Sequence, residues 1–315
     1  MPEQINTPHL HSFKAMASVD GKVTLLDDAT VPFGDRGFLF GHGVFETILI
    51  AGNSIVSWNE HMARLMKGAN RVVISIPNPD DLKKAVIELV LAFRRQNNLT
   101  PDALPELKLQ VRLILTGGSG LDLKINKDED GNPPKCRVAL LCRAAASKPP
   151  LYESSGLGLL PVFDPRSSQL IETKSINYLS NMLALDAAVT QGFDDAIFYN
   201  SQGIFTECTT ANFLWINKED KICGAPIKNQ CLPGTSLLSL VRGLVKKGHQ
   251  FHEDPLSQKD LSAAKACFAI SSVRGLTSVG RIGDHTFDLK EFAETKEYLN
   301  GLLFAEQKNG LVPIF

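Results

Sequence analysis

The chain has 315 residues, 33 basic and 34 acidic, with 43% apolar and 21% charged residues. So even a balance makes no field that gathers nucleic acid or anionic lipid, and the composition is neither that of a disordered chain nor that of a membrane-spanning one. The length exceeds what one compact core usually reaches, so two domains and small-molecule partners are expected.

Met1–Ala15 is polar, carries His9 and His11 and lacks a charged-then-apolar leader pattern, and no apolar run reaches membrane-spanning length. Six cysteines are scattered without a CxxC pair, as in Ala-Cys267-Phe-Ala-Ile. Buried free thiols, no metal site and a reducing, cytoplasmic setting follow as expectations. Gly43 to Ile50 reads as a strand, and the turn Ala51-Gly52-Asn53 returns it to Ile55-Val56 as a hairpin. A helix follows through Ala69, with Asn59 as its N-cap and Met62, Leu65 and Met66 on one face. Asp80 to Asn97 repeats the pattern through Leu82, Val86, Leu89, Val90 and Phe93, and Leu107 to Leu115 reads as a strand.

Gly117 to Pro134 is polar and turn-rich, so it reads as a loop, and its place after a strand near the domain cleft makes it the expected seat of specificity. Arg137 to Leu141 reads as a buried strand. Ala144 to Gly156, with Ser-Lys-Pro-Pro, is the expected linker, dividing the chain into an N-terminal domain 1–143 and a C-terminal domain 157–315. Beyond it come a strand Leu157 to Phe163, a helix from Asn177 to Gln191 with Leu179, Met182, Leu183 and Ala187 at helical spacing, and strands Asp195 to Tyr199, Ile204 to Thr206 and Phe213 to Ile216. A helix from Ser236 to Lys247 starts after Pro233-Gly234, ends at Gly248, and carries Lys246 and Lys247 in its last turn.

Three segments carry chemistry. In Glu172-Thr173-Lys174-Ser175-Ile176-Asn177-Tyr178 a lysine lies between an apolar pattern and a helix start. There it can be shielded from water, which favours the neutral amine that attacks an aldehyde. On its own this is an ordinary surface lysine. Farther on, Glu207-Cys208-Thr209-Thr210-Ala211-Asn212 sets a carboxylate at a strand end. Such a carboxylate keeps a pyridine nitrogen protonated, the condition for an electron-sink cofactor; its bland alternative is an edge-strand glutamate. Leu232-Pro233-Gly234-Thr235-Ser236 offers backbone N–H groups and hydroxyls at a helix start, and Ser271 and Ser272 end a strand Ala266 to Ile270. Phosphate binds such places, although either one alone reads equally as a cap or strand end.

Together with Phe40-Gly41-His42-Gly43-Val44-Phe45-Glu46-Thr47 and Asn59-Glu60-His61-Met62-Ala63-Arg64-Leu65, these stretches in this order resemble the class IV aminotransferases, the fold type IV pyridoxal phosphate (PLP) enzymes, over about Phe33 to Gly283. The resemblance implies an α/β (α+β) fold with a small N-terminal α/β domain, a larger β-rich C-terminal domain and PLP at their junction. It also implies a homodimer, Lys174 as Schiff-base and proton-transfer lysine, and Glu207 as partner of the pyridine nitrogen. Arg64, Thr235, Ser236, Ser271 and Ser272 would bind phosphate, Leu232 would pack on the ring, and Thr209 and Thr210 would complete the cofactor site. Phe45, Tyr178 and Arg274 would meet substrate.

The implied reaction moves an amino group between an amino acid and a 2-keto acid by a ping-pong route. The alternative is aminodeoxychorismate lyase, which Thr206 to Trp215 and Ser272-Val273-Arg274-Gly275 also resemble. The Arg-x-His carboxylate trap of D-amino-acid transaminases is missing from Leu115-Thr116-Gly117-Gly118-Ser119-Gly120. Arg274, then Arg112, Arg143 and Arg166, are the candidates left for the substrate carboxylate.

Overall fold

A computed structural model describes residues 13–100, 107–145, 155–164 and 170–314. Most of the expected linker, and Arg166, lie outside these residues.

The strands β1 (Met16–Val19), β2 (Lys22–Leu25), β3 (Gly43–Ala51), β4 (Ser54–Ile55), β5 (Lys108–Thr116) and β6 (Arg137–Ala144) build a first sheet. The last described strand, β16 (Val312–Pro313), returns to pair with β4 as a seventh, giving the order β16-β4-β3-β5-β6-β1-β2. In β5 the alternation of side chains decides the two faces: Leu109, Val111, Leu113 and Leu115 are buried, while Gln110, Arg112 and Ile114 lie opposite. The apolar face packs against α2 (Trp58–Arg71) and α3 (Pro79–Gln96), whose Leu65, Val86, Leu89, Val90 and Phe93 are fully enclosed. Asn78 caps α3 and Pro79 occupies its first turn. The cap of α2 differs from expectation. Trp58 already begins the helix, and Ser57, at φ 54°, is the capping position, so Asn59 lies inside the first turn. A short helix α1 (Arg36–Phe40), capped by Asp35, precedes β3.

The second sheet contains β7 (Leu157–Phe163), β8 (Asp195–Tyr199), β9 (Phe205–Cys208), β10 (Asn212–Asn217), β11 (Ile222–Gly224), β12 (Phe251–His252), β13 (Ala264–Ser271), β14 (Gly275–Ile282) and β15 (His285–Thr286). The path β10-β13-β14-β7-β8-β9 closes on itself because β9 pairs with β10 at Glu207 and Asn212, forming a barrel. Leu159, Ile197, Phe205, Phe213, Trp215, Cys267 and Val279 form one apolar core of this sheet. A second core lies where Leu214, Phe268 and Leu276 meet Leu237, Leu240, Leu299 and Leu303 of two helices, Thr235–Lys246 and Ala293–Asn309. The helix Leu179–Thr190 is α4, and these two are α5 and α6. The mixed α/β architecture with a β-rich second half is the one expected.

The apolar row of α4 does not form core. Leu179, Met182 and Leu183 are 66%, 64% and 62% exposed, and the helix packs on β8 through Ala184 and Ala188 instead. Apolar residues surround this helix on all sides, so spacing alone gave no inward direction. Strand β9 also runs later than expected, to Cys208, which brings Glu207 into the sheet.

Candidate active site

A cavity of about 690 Å³ opens between the two sheets. Every residue expected at the site lines it: Lys174, Arg64, Glu207, Thr209, Thr210, Leu232, Thr235, Ser236, Ser271, Ser272, Phe45, Tyr178 and Arg274.

Lys174 is fastened through its neighbours. Phe45 N–H donates to the Lys174 carbonyl at 2.8 Å, Ile176 N–H donates to Gly43 O at 3.0 Å, and Val44 bridges Ser175. The lysine segment thus extends the edge of β3. The glycines of the Phe40 to Gly43 stretch make room for it. Gly41 ends α1 at φ 65°, and a Cβ there would lie 2.0 Å from Asn177 Oδ1, while Asn177 Nδ2 donates to Gly41 O at 3.0 Å. The Lys174 amine lies 4.6 Å from the Phe45 ring centre and donates to Tyr178 Oη at 3.3 Å; Phe45 and Tyr178 meet edge to face.

Glu207 stands where the barrel closes. Its Oε2 accepts from Leu232 N–H at 3.1 Å, and the opposite residue of the pair, Asn212, donates to Leu232 O at 2.7 Å. The two side chains therefore grip both backbone groups of Leu232. Beside them Thr209 donates to the buried Asp195, whose carboxyl burial pushes up, and Asn181 donates to Thr209 O at 2.7 Å. Burial likewise pushes up the Cys208 thiol, an unreactive state.

The start of α5 faces the same space. Gly234 is its N-cap and no side chain caps it. Thr235 Oγ1 and Ser272 Oγ are 3.1 Å apart, and the buried Ser236 Oγ has no partner among the described residues. Arg64 comes from α2, donating through Nη1 to Pro233 O at 3.1 Å. Its other nitrogens hold Glu46, which sequence reasoning did not single out, although a carboxylate in the apolar run of β3 was the available signal.

The cationic walls differ. Arg274 donates to Thr210 Oγ1 at 2.8 Å and lies 3.9 Å from Asp195. Across the cavity Arg112 stacks on Phe45 at 4.1 Å, and its buried Nε has no partner among the described residues. Burial draws its guanidinium below the ordinary range. Arg143 lies nearby and donates to Gln110 at 3.4 Å. The loop 117–135 does not line the cavity. Arg36 holds it over α1 by donating to the carbonyls of Asp122, Leu123 and Lys124. Among the described residues, no helix is long and apolar enough to cross a membrane, and no cluster of His, Cys, Asp or Glu could hold a metal.

A lysine, a carboxylate and an uncapped helix start with its hydroxyls stand around one cavity between an α/β sheet and a β-barrel, an arrangement suited to group transfer. The family model for amino-transferase class IV matches residues 43–282, and the chain belongs to that family; it is a transaminase. A Methanocaldococcus jannaschii protein assigned as a branched-chain-amino-acid aminotransferase is 29% identical over 284 residues, covering 89% of this chain and 92% of that one. A D-alanine aminotransferase of Listeria monocytogenes is 26% identical over 258 residues, 81% and 83% of the two chains. The branched-chain aminotransferase of Thermoproteus uzoniensis, solved with norvaline, superposes with a TM-score of 0.76 at 21% identity over 95% of this chain and 99% of that chain. Transamination, rather than the lyase reaction, is the chemistry these matches support.

Proposed function

We propose that this transaminase holds pyridoxal phosphate in the cavity, with its phosphate at the α5 N-terminus, its ring nitrogen at Glu207 and its aldehyde end at Lys174. The observation that carries the reading is the unpartnered, buried Ser236 hydroxyl at an uncapped helix start, with the Thr235–Ser272 hydroxyl pair and Arg64 converging on it. When bound, the cofactor supplies an electron sink that acidifies the substrate α-carbon.

The chain's own residues do the rest. Lys174 would anchor the cofactor and, once displaced by the substrate amine, carry a proton to and from the α-carbon on Nζ, oriented by Tyr178 Oη. Glu207, buried and fixed by Leu232 N–H, would keep a proton on the ring nitrogen. Leu232, Thr209 and Thr210 would wall the ring, and Ser271 and Ser272 would add phosphate donors. For the substrate carboxylate, the geometry favours Arg112 over Arg274, because Arg274 already has Thr210 and Asp195 while Arg112 has a donor without a partner. Phe45, stacked under Arg112, would be the floor of the substrate space.

A homodimer belongs to the same proposal, supported by the exposed apolar row of α4 and by exposed Phe33, Phe38, Leu121 and Leu123. So do the division of the chain at 144–156, supported by the two sheets, and a reducing, cytoplasmic setting, supported by six free buried cysteines. The test is the absorbance spectrum of protein reconstituted with PLP, recorded before and after single D- and L-amino acids without keto acid. A visible band that one amino acid converts to the aminated form is the expected result, and Lys174→Ala abolishes both. A band that no amino acid in the panel moves would refute the transaminase reading.

A further inference from the structure

A carboxylate at zero exposure is costly unless its charge is met, and Glu46 of β3 is such a group. Three donors meet it: Arg64 Nε at 2.7 Å on Oε1, and Arg64 Nη2 at 2.6 Å with His61 Nδ1 at 2.7 Å on Oε2. Burial pushes the Glu46 carboxyl up, but the charge and hydrogen bonds of Arg64, with those of His61, overcome it and hold it at about 2. Two parallel bonds from Nε and Nη2 fix the plane of the guanidinium, which a single bond would leave free to turn. The one nitrogen outside this grip, Nη1, is then aimed at Pro233 O, in the turn whose next residue, Gly234, is the N-cap of α5.

We propose that Glu46, seconded by His61, is the positioning residue of the anion seat, acting through Arg64. The proposal rests on the reading of Arg64 as a phosphate ligand. An ion pair serving the core alone would have no reason to leave Arg64 on the cavity wall, where it stands. The adjacent residue of the strand, Phe45, holds the Lys174 carbonyl. Two consecutive residues of β3 therefore set the two ends of the cofactor site, the lysine by a backbone bond and the arginine by a side chain.

The experiment compares dissociation constants for PLP and for pyridoxal, which lacks the phosphate, in apo-protein by absorbance titration. In Glu46→Gln the amide must turn its NH2 toward one of the three donors, so Arg64 loses its fixed plane. PLP affinity is expected to fall by about tenfold or more, with pyridoxal affinity unchanged. In an Arg64→Met background the same substitution should change nothing. Equal losses for PLP and pyridoxal, or a full effect that persists in Arg64→Met, would overturn the proposal. If Arg64→Met itself leaves the PLP-to-pyridoxal ratio unchanged, the phosphate reading of Arg64 has failed; if it lowers the ratio and Glu46→Gln does not, only the positioning role has. Should Glu46→Gln not fold, His61→Leu is expected to lower the ratio about threefold, and His61→Asn, whose amide can take the place of Nδ1, to restore it. No change in His61→Leu counts against the proposal.

Discussion

Gly234 offers a sharp test of how the site is held. Its backbone, at φ −66° and ψ 130°, is open to any residue, so alanine meets no conformational penalty there. Its Cβ, however, would lie 1.8 Å from Asn212 Oδ1, which no real contact allows. Asn212 has to swing away, giving up its 2.7 Å bond to Leu232 O and leaving a part-buried carbonyl unpaired. That loss costs about 1–3 kcal/mol. Alanine also narrows the unfolded ensemble, which returns about 0.4–1 kcal/mol. The assay is a thermal-unfolding cycle of four apo-proteins: wild type, Gly234→Ala, Asn212→Ala and the double variant. Gly234→Ala and Asn212→Ala should each lower the midpoint, and the double variant should be no worse than Asn212→Ala, because the clash is gone with the side chain. Additive losses would show that the glycine is needed for some reason other than Asn212, and the reasoning would fall.

Glu46 gives a pH signature. Its carboxyl falls from 4.5 to about 2 in the folded chain, so it stabilises the fold fully above the unfolded value, and that contribution is lost as pH drops from 4.5 toward 2. The amount is on the order of 3 kcal/mol, and Glu46→Gln should flatten the acid limb of the stability curve by it, as read by urea unfolding from pH 6 downward. Ser236→Ala should weaken PLP about tenfold and leave pyridoxal alone, in paired titrations; equal affinities before and after would mean the hydroxyl is idle. Leu183→Glu, on the exposed face of α4, should leave the unfolding midpoint nearly unchanged while shifting the mass in light scattering from dimer to monomer. A dimer that survives places its interface elsewhere.

Regular periodicity was legible, long-range pairing was not. The face of α3 and the alternation of β5 could be read because one side is apolar and the other is not. In α4 both sides are apolar, so the same rule gave no direction. Asn59 fits a cap by type, yet the turn places Ser57 there, which only the φ of that residue reveals. At the site, Lys174, Glu207 and the Thr235–Ser236 pair each sit at the junction of an element and a turn, where residue type and position coincide. Glu46 lies inside a strand and Asp195 begins one, and their meaning depends on partners 18 and 14 residues away in sequence that only the fold brings close. Loop 117–135 follows a strand toward the cleft, but Arg36 ties it to α1 and none of it lines the cavity.

The ring of strands that closes at Glu207 and Asn212 has a further consequence for change in this molecule. Side chains along a strand alternate in facing, so a slip of one residue would turn Glu207 away from the cavity and carry the buried Cys208 into its place. An open edge tolerates such slips; a closed circuit does not, because every neighbour would have to slip with it. The four residues Cys208 to Ala211 between the closing pair are therefore fixed in number, though not in kind. Substitutions there can retune the wall of the cavity, whereas a single insertion or deletion would remove the acid from it at one stroke.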